Sequence, residues 1–266
     1  MQRSFGVAAL TFEQKDGATR LARIFQEGAV KVRFPNVAAG FAPEAVLLNM
    51  AGGMTGGDAQ DIAVDVGPGA QATLTTQACE RIYRSLGDDA AILGNIGLAA
   101  GAQLEWLPQP VICFDGARLK RETHVNLSSD ATLLAVESVI FGRTASGETV
   151  EYGALSDAWF IRRAGRLIHL ERFEIDGAIR AVLAKPMVLG ANCAMATLRY
   201  IAPDAEGRLD ELRALLADSP VPAAASAWNG MLIARLVAPD GYSLNRELVR
   251  VLGGFRGKAL PRAWMM

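Results

Sequence analysis

Three carboxylates in apolar or glycine-rich surroundings are the side chains of this sequence most suited to chemistry. Asp58 follows two glycine pairs, Glu137 lies inside an apolar run, and Asp157 lies close to Trp159. A buried carboxylate is costly in free energy unless it is paired or solvated. Each of these side chains therefore needs a cationic partner or a wet, polar environment.

Glu137 has two interpretations that the sequence leaves open. In the first, an arginine neutralises it, and Arg143 and Arg162 are the candidates. In the second, it lines a wet internal cavity or channel built from oxygen ligands. Neutral oxygens for such a lining are available at the end of one alternating run: Thr75, Thr76 and Gln77. Two carboxylates in one cleft would also suit the acid and base of a glycoside hydrolase.

Ligands for a transition metal are scarce. The histidines and cysteines of the chain are His124, His169, Cys79, Cys113 and Cys193. His169 and Glu171 are two residues apart, so they would share one face of a strand and bind a metal weakly. An exposed pair on a strand is the commoner explanation of that spacing, and Cys79 is more often a small buried residue than a ligand.

The motifs of the common enzyme classes are absent from the sequence. It has no G-x-S-x-G elbow, no H-E-x-x-H, no C-x-x-C and no dinucleotide-binding G-x-G-x-x-G. The glycine pairs do not form a phosphate-binding loop, because Asp58 stands where that loop requires a lysine. The sequence therefore predicts neither nucleotide hydrolysis nor a closed metal site.

Short strands must position these side chains. Residues 62–66 and 70–77 alternate between apolar and polar positions around the turn Gly67-Pro68-Gly69, and residues 117–127 alternate in the same way. The hydrophobic pattern and the Gly turns predict further strands at 4–12, 19–25, 29–34, 45–49, 90–98, 102–107, 131–140, 148–163, 166–175 and 231–237. Residues 142–147 are predicted to form a hairpin loop, and Ala164-Gly165 the turn of a long hairpin.

Helical spacing occurs late in the chain. Residues 208–217 and 244–252 carry apolar side chains at helical intervals, with Ser243 as the predicted N-cap and Gly253-Gly254 as the stop of the second helix. Residues 181–195 are ambiguous, because Pro186 argues against one uninterrupted helix. Many short strands with two late helices indicate a sandwich, a barrel or a β-helical stack, and no repeat of fixed period selects among them.

Composition excludes several functional classes. The chain has 266 residues, a formal net charge of −1 and a hydrophobic fraction of 51%, which is typical of a packed globular protein and not of a nucleic-acid-binding surface. No apolar run reaches the roughly 20 residues of a membrane span, and the N-terminus is interpreted as a first strand, not a signal peptide. Three cysteines far apart predict free thiols in a reducing cytoplasm, not a disulfide framework.

A series of short motifs runs through the chain in one order. They are Asn49-x-x-Gly52-Gly53 with Gly56-Gly57-Asp58, Thr75-Thr76-Gln77, Arg81-x-Tyr83-Arg84, Leu104 to Pro110 with Phe114, Glu137, Gly142-Arg143, Gly147-Glu148 and Leu260-Pro261-Arg262-Ala263-Trp264. Together they resemble the urease accessory protein family UreD, also called UreH. The matching motifs span roughly residues 49–264, and the N-terminal 40 residues match little.

The resemblance implies a fold and a function. It implies one mainly-β domain over residues 1–266, a β-helix-like stack of many short strands with about two helices near the C-terminus. It further implies a non-enzymatic assembly factor that holds no tight cofactor. Such a factor binds the urease apoprotein and UreF, and through UreF the GTPase UreG, so that nickel reaches the urease active site. A carboxylate-based hydrolase on a β-helical fold is the alternative, and no nucleic acid or membrane partner is expected.

The resemblance also suggests candidate site residues. The family is associated with an internal nickel tunnel, and the candidates for its lining here are Asp58, Thr75, Thr76, Gln77 and Glu137. Aromatic residues near the C-terminus are candidates for partner binding, above all Tyr242, Phe255 and Trp264. The C-terminal helices and residues 256–266 are expected to meet UreF. Packing of the aromatics within the core is the alternative.

Overall fold

A computed structural model describes residues 3–38, 41–143, 146–190 and 192–265, and strands dominate it. The strands of the described residues are β1 Phe5–Lys15, β2 Ala18–Gly28, β3 Val30–Arg33, β4 Glu44–Asn49, β5 Ala59–Val66, β6 Gln71–Thr76, β7 Glu80–Ile82, β8 Ala90–Leu98, β9 Gln103–Leu107, β10 Val111–Cys113, β11 Arg118–Leu127, β12 Thr132–Phe141, β13 Gly153–Arg163, β14 Arg166–Gly177, β15 Ala194–Ile201, β16 Ala223–Trp228 and β17 Met231–Ala238. The α-helices are α1 Ile179–Leu183, α2 Leu209–Ala217 and α3 Gly241–Arg256.

Two sheets face each other, and the chain passes from one to the other as it winds. The first sheet has the order β14-β13-β11-β8-β5-β1-β2, and the main path of the second is β16-β17-β15-β12-β9-β6-β4-β3. Neighbours from β1 through β13 in the first sheet and from β4 through β12 in the second are parallel. A short third ladder joins β7, β10 and the end of β12. The prediction of a mainly-β, β-helix-like stack is therefore confirmed.

The core lies between the two sheets because each strand alternates. In β11, Leu119, Val125 and Leu127 are buried while Lys120 and Asn126 on the opposite face are exposed. The inward side chains of successive coils stack into one apolar cluster. Burial of this surface from water drives the stacking of the coils, and the predicted alternation of residues 117–127 is confirmed.

The glycine loop before β5 lies very close to Arg81 and Tyr83. A Cβ on Gly53 would lie 2.4 Å from the Tyr83 ring and 2.8 Å from the Arg81 carbonyl oxygen, and the φ of Gly53 is +144°. Asp58 closes the loop, accepting hydrogen bonds from the backbone N–H groups of Ser4 at 2.7 Å and Thr55 at 2.8 Å. The glycine pairs therefore let this loop pack against the segment that follows β7.

Helices α2 and α3 pack on the second sheet, and the ends of α3 differ from the prediction. Its N-cap is Asp240, whose side chain accepts from the Ser243 N–H at 2.7 Å, so the assignment of Ser243 as N-cap is wrong. The helix also continues past Gly253-Gly254 to Arg256, and Gly257, which has a φ of +64°, is its C-cap. A Cβ on Gly254 would lie 2.7 Å from Leu215, so this glycine allows the two helices to approach.

The connection between β12 and β13 is not a hairpin. β12 belongs to the second sheet and β13 to the first, so the two strands do not pair with each other. Residues 144–145 of the predicted loop lie outside the described residues. The strand predicted at 148–163 begins only at Gly153. The hairpin around Ala164-Gly165 is confirmed, with φ values of +48° and +79°. In the ambiguous stretch 181–195, α1 ends at Leu183, before Pro186.

The C-terminal tail is part of the packed structure. Trp264 is buried, and its Nε1–H donates to the Leu107 carbonyl oxygen at 3.0 Å. Arg256 holds the Glu105 carboxylate with two hydrogen bonds, of 3.0 and 2.7 Å. The tail therefore packs against the end of β9.

The described helices give no membrane-spanning segment: each of them is too short or too polar to cross a bilayer. The cysteines of the chain are free, and Cys113 is fully buried. Burial raises the pKa of the Cys113 thiol to about 12, so this thiol is an inert part of the core.

Candidate functional site

A buried ion cluster lies where the first and second sheets face each other. Arg121 donates two hydrogen bonds to Asp157, from Nε to Oδ1 at 3.0 Å and from Nη2 to Oδ2 at 2.6 Å. Its third nitrogen, Nη1, contacts Oε2 of Glu137. The three residues are each less than 10% exposed. One guanidinium therefore pairs with two carboxylates inside the protein.

Strand register brings these three residues together. Arg121 and Asp157 are direct neighbours in the parallel pairing of β11 with β13. Glu137 lies at the point where β12 stops pairing with β9, after Ala135, and starts pairing with β10, at Val139. By strand alternation Glu137 shares the inward face of β12 with Ala135 and Val139, and Trp106 donates to its Oε1 at 3.3 Å.

Burial controls the protonation of the cluster. Desolvation raises the pKa of Glu137 above its ordinary value, with Asp157 adding to the rise and Arg121 opposing it. Burial alone would lower the pKa of the Arg121 guanidinium, but Asp157 and Glu137 outweigh burial and raise it. Arg121 is therefore a permanent cation, while Glu137 accepts a proton more readily than an exposed glutamate does.

A second ion cluster closes the space between the sheets on the same side. Glu171, on β14, accepts from Arg199 at 2.8 Å and from Arg235 at 2.8 Å, and its Oε2 lies 3.4 Å from the His169 ring nitrogen. Burial alone would raise the pKa of Glu171, but the contacts with His169, Arg199 and Arg235 hold it well below its usual range. His169 and Glu171 do share a face, as their spacing predicts, but arginines already occupy the carboxylate.

The two clusters line one cavity of about 350 Å³. Its polar lining comes from Glu137, Asp157, Glu171, Thr197, Arg199 and Arg235, and its apolar lining includes Met187, Met195 and Phe173. Arg199 stacks on the Trp159 ring at 4.5 Å, and its Nε and Nη1 are buried without a hydrogen-bond partner among the described residues. We call this space the carboxylate cavity.

The carboxylate cavity is polar but does not form a closed metal site. Within the described residues, no three His, Cys, Asp or Glu side chains converge closely enough to hold a metal ion. The oxygens that would bind a cation instead face arginines. A cation in this cavity would have to compete with those arginines, so the arrangement suits weak and temporary binding.

The predicted partners of Glu137 are wrong. Arg143 is half-exposed and binds Glu148 at 2.9 Å, and Arg162 pairs with Asn126, on the face of the first sheet that points away from the core. Arg121 was missed, although the sequence carries a signal for it. It stands at a position of β11 where the alternation requires an inward, apolar side chain, which marks a buried arginine in need of a carboxylate.

The other oxygen ligands proposed from the sequence lie elsewhere. Thr76 and Gln77 line a separate pocket of about 200 Å³ with Asn49, Gln60 and Glu80, and that pocket shares no lining residue with the carboxylate cavity. Thr75 is buried in β6 beside it.

Glu80 is the carboxylate of this second pocket, and the sequence reasoning missed it. It accepts from Asn49 at 3.0 Å and from Gln60 at 3.1 Å, and burial raises its pKa. Asp58 is not among the lining residues of either space, because both of its oxygens cap the glycine loop. The structure therefore divides the predicted set among three places.

The aromatic residues proposed for partner binding differ in exposure. Tyr242, at the start of α3, is 77% exposed and borders a surface groove with Gln109 and Arg143. Phe255 and Trp264 are buried, which is the alternative of core packing for these two residues. Both pack in the cluster formed by the helices and the second sheet, which leaves Tyr242 as the candidate of the three.

The alternative of a carboxylate hydrolase predicts two facing carboxylates, one of them with a raised pKa. Glu137 and Asp157 meet that description in part. However, Arg121 lies between them and binds the oxygens that an acid and a base would present to a substrate. The geometry therefore favours a neutralised pair over an acid and base poised for catalysis.

Comparisons with known proteins point to one family. Residues 4–265 match the family model described as UreD urease accessory protein, so the similarity includes the N-terminal residues whose sequence motifs gave little. A urease accessory protein UreD of Methylobacterium sp. (strain 4-46) is 47% identical over 253 residues, 93% of this chain and 89% of the relative. A protein of the same name from Rhizobium leguminosarum bv. viciae is 44% identical over 99% of this chain and 96% of its own length. Another, from Xanthobacter autotrophicus (strain ATCC BAA-1158 / Py2), is 45% identical over 99% of this chain and 90% of its own length.

Proposed function

This chain belongs to the UreD family of urease accessory proteins, and we propose that it binds the urease apoprotein and enables insertion of nickel into the urease active site. UreF is the proposed direct partner, and UreG is reached through UreF. The absence of a phosphate-loop motif from the sequence supports a division of labour in which UreG hydrolyses GTP. In this proposal the chain acts without catalysis of its own, in the cytoplasm, and with no nucleic acid or membrane partner.

The observation that carries the nickel part of the proposal is the carboxylate cavity. Divalent nickel accepts carboxylate and imidazole ligands, and three carboxylates, Glu137, Asp157 and Glu171, line this space between the sheets. Arginines neutralise them, so the cavity would hold a divalent cation only weakly. Weak binding is what a carrier needs if it must also release its cargo to urease.

The remaining residues of the predicted nickel path stay part of the proposal. Thr76 and Gln77 offer neutral oxygens, with Glu80, in the second pocket. Asp58 and Thr75 lie close in sequence to its lining, although the carboxylate of Asp58 already serves the glycine loop. A continuous path would have to connect this pocket with the carboxylate cavity.

Tyr242 is our proposed contact with UreF. Its ring is largely exposed at the first turn of α3, beside a groove of about 860 Å³ that also includes Ile112 and Pro110. An exposed tyrosine beside apolar groups is typical of an interface hot spot. The apolar face of α3, with Leu244, Leu248 and Val251, packs in the cluster with the second sheet and is not available to a partner.

The test is the nickel content of urease made with and without this chain. The urease structural genes and the other accessory genes are expressed in the presence or absence of this gene, and urease is purified and analysed for nickel and activity. We expect both to be low without the chain and restored with it. Full nickel loading in its absence would refute the proposed function.

A further inference from the structure

Arg121 occupies the position that a cation would take between Glu137 and Asp157. It is 6% exposed, and its three guanidinium nitrogens all face carboxylate oxygens. A buried arginine that joins two carboxylates stabilises a fold little compared with apolar packing of the same volume. Its presence at an inward position of β11 is therefore poorly explained by stability alone.

The two halves of this arrangement are unequal. The bond to Asp157 is bidentate, with two parallel N–H···O contacts of 3.0 and 2.6 Å, whereas Glu137 receives only Nη1. A bidentate pair is the stronger and more rigid contact. When the cluster opens, Arg121 should therefore stay with Asp157 and release Glu137, which lines the carboxylate cavity.

We propose that Arg121 is an internal counter-ion that competes with the cargo cation for Glu137 and so sets the affinity of the carboxylate cavity for divalent nickel. This inference rests on the proposed function, which supplies the cation. With Arg121 in place, the two carboxylates carry one compensating charge and bind Ni²⁺ weakly. Without that charge, they form an anionic site that retains the metal.

The test uses two substitutions with opposite expected effects. Arg121→Gln removes the positive charge, and Ni²⁺ should bind the full chain at least about tenfold more tightly, since the cation no longer faces a competing charge a few ångströms away. Asp157→Asn removes the anchor of the guanidinium, so that Arg121 turns fully to Glu137, and binding should weaken by at least about tenfold. General disruption of the fold would lower both affinities.

The measurement is isothermal titration of the untagged full chain with Ni²⁺, with circular dichroism as the check on folding. Arg118→Gln is the matched control, because Arg118 lies on the same strand but binds Asp89 and Asp176 near the surface, and this variant should bind Ni²⁺ as the unsubstituted chain does. Folded Arg121→Gln with unchanged or weaker binding overturns the inference. If that variant does not fold, Asp157→Asn decides alone: unchanged or tighter binding overturns the inference.

Delivery gives a second readout that separates this inference from the proposed function. Urease matured with Arg121→Gln should contain less nickel while the accessory chain retains more. If the unsubstituted chain makes no difference to nickel loading, the proposed function fails. If it loads urease and Arg121→Gln loads urease equally well without retaining nickel, only the role of Arg121 fails.

Discussion

Glu171 shows at the scale of one side chain how the two sheets are held together. It projects from the first sheet and meets two arginines of the second, Arg199 and Arg235, each at 2.8 Å. A carboxylate with two such partners keeps its negative charge even though it is largely buried. Glu171 therefore links the sheets at the side of the carboxylate cavity.

The lowered pKa of Glu171 predicts a dependence of stability on pH. Because the folded-state pKa lies below the ordinary value of 4.5, the contribution of this group is complete above that pH and is lost as the pH falls towards the folded-state pKa. The Glu171→Gln variant lacks this contribution at every pH. The difference in urea midpoint between the unsubstituted chain and Glu171→Gln should therefore be large at pH 6 and shrink at pH 3.5.

The control for this experiment is Glu174→Gln on the same strand. Glu174 is exposed, and its nearest arginine nitrogen, on Arg172, is 3.8 Å away. A pair of this kind contributes little to stability. A midpoint difference for Glu171→Gln that is constant from pH 6 to pH 3.5, or no larger than that of Glu174→Gln, would contradict the assignment.

At the residue scale, the sequence predicted the type of interaction but not the partner. Glu137 in an apolar run indicates a need for neutralisation, and the structure provides it. Arg143 and Arg162 were the predicted partners, whereas the actual partner, Arg121, lies on β11 of the first sheet and reaches Glu137 on β12 of the second. Register between distant strands decides such pairs, and one sequence carries no direct record of it.

At the scale of elements, the glycine loop packs against the motif Arg81-x-Tyr83-Arg84, which begins in β7. Gly53 lies against the Tyr83 ring and the Arg81 carbonyl, so any side chain at this position collides with backbone as well as with a ring. Gly52, its neighbour, has a φ of +77° but open space around it. The two positions therefore separate the cost of the backbone conformation from the cost of the collision.

Alanine at these two positions gives a prediction with a built-in control. Gly52→Ala should cost about 1 kcal/mol of unfolding free energy, the usual cost of a left-handed conformation for a residue with a Cβ. Gly53→Ala should cost roughly 3 kcal/mol, because strain and collision combine. Equal losses in urea unfolding of the two variants would show that the loop does not pack closely on the Tyr83 segment.

The C-terminal tail was predicted to bind a partner, and its packing changes how that idea is tested. Deletion of residues 256–266 would remove the ion pair of Arg256 with Glu105 and the buried Trp264. We expect the truncated chain to be less stable, so loss of UreF binding by that variant would not identify an interface.

Tyr242→Ala is the sharper test of the UreF contact. The ring is exposed, so the variant should keep the unfolding midpoint of the unsubstituted chain while its affinity for UreF falls at least about tenfold, the usual loss at a hot spot. Tyr152→Ala is the control, because Tyr152 is 65% exposed on the connection between β12 and β13. Unchanged UreF affinity of Tyr242→Ala in a binding titration would exclude Tyr242 from the interface.

The elements themselves were predicted well where local patterns decide them. Most strands, the hairpin turn at Ala164-Gly165 and both longer helices follow from alternation, turn residues and helical spacing. The end of α3 was misplaced because Gly254 serves contact with Leu215 and does not stop the helix. A glycine needed for packing and a glycine that ends a helix are identical in the sequence.

At the scale of the whole molecule, periodicity left the architecture undecided. Strands of unequal length and unequal connections hide the repeat of the coils, so alternation alone did not distinguish a sandwich from a stack. The family resemblance selected the β-helix-like stack, and the parallel ladders of both sheets confirm it. The carboxylate cavity was beyond prediction because its lining comes from five strands of both sheets and from the segment after α1.

For the molecule as a whole, we propose that nickel reaches urease by way of the carboxylate cavity. Glu137→Gln keeps the size of the side chain and the bond of Arg121 to Asp157, so the variant should fold and still bind the urease apoprotein. It removes the one carboxylate that Arg121 can release to a cation. Glu174→Gln, on the exposed face, is the control.

The measurement that decides this is nickel per urease active site, determined by elemental analysis of urease matured with no accessory chain, with the unsubstituted chain, with Glu137→Gln or with Glu174→Gln. We predict full loading with the unsubstituted chain and with Glu174→Gln, and almost none without the chain. With Glu137→Gln, we predict at least about a fivefold drop in nickel loading, which corresponds to roughly 1 kcal/mol. Full loading with Glu137→Gln would contradict the claim that nickel passes through this cavity.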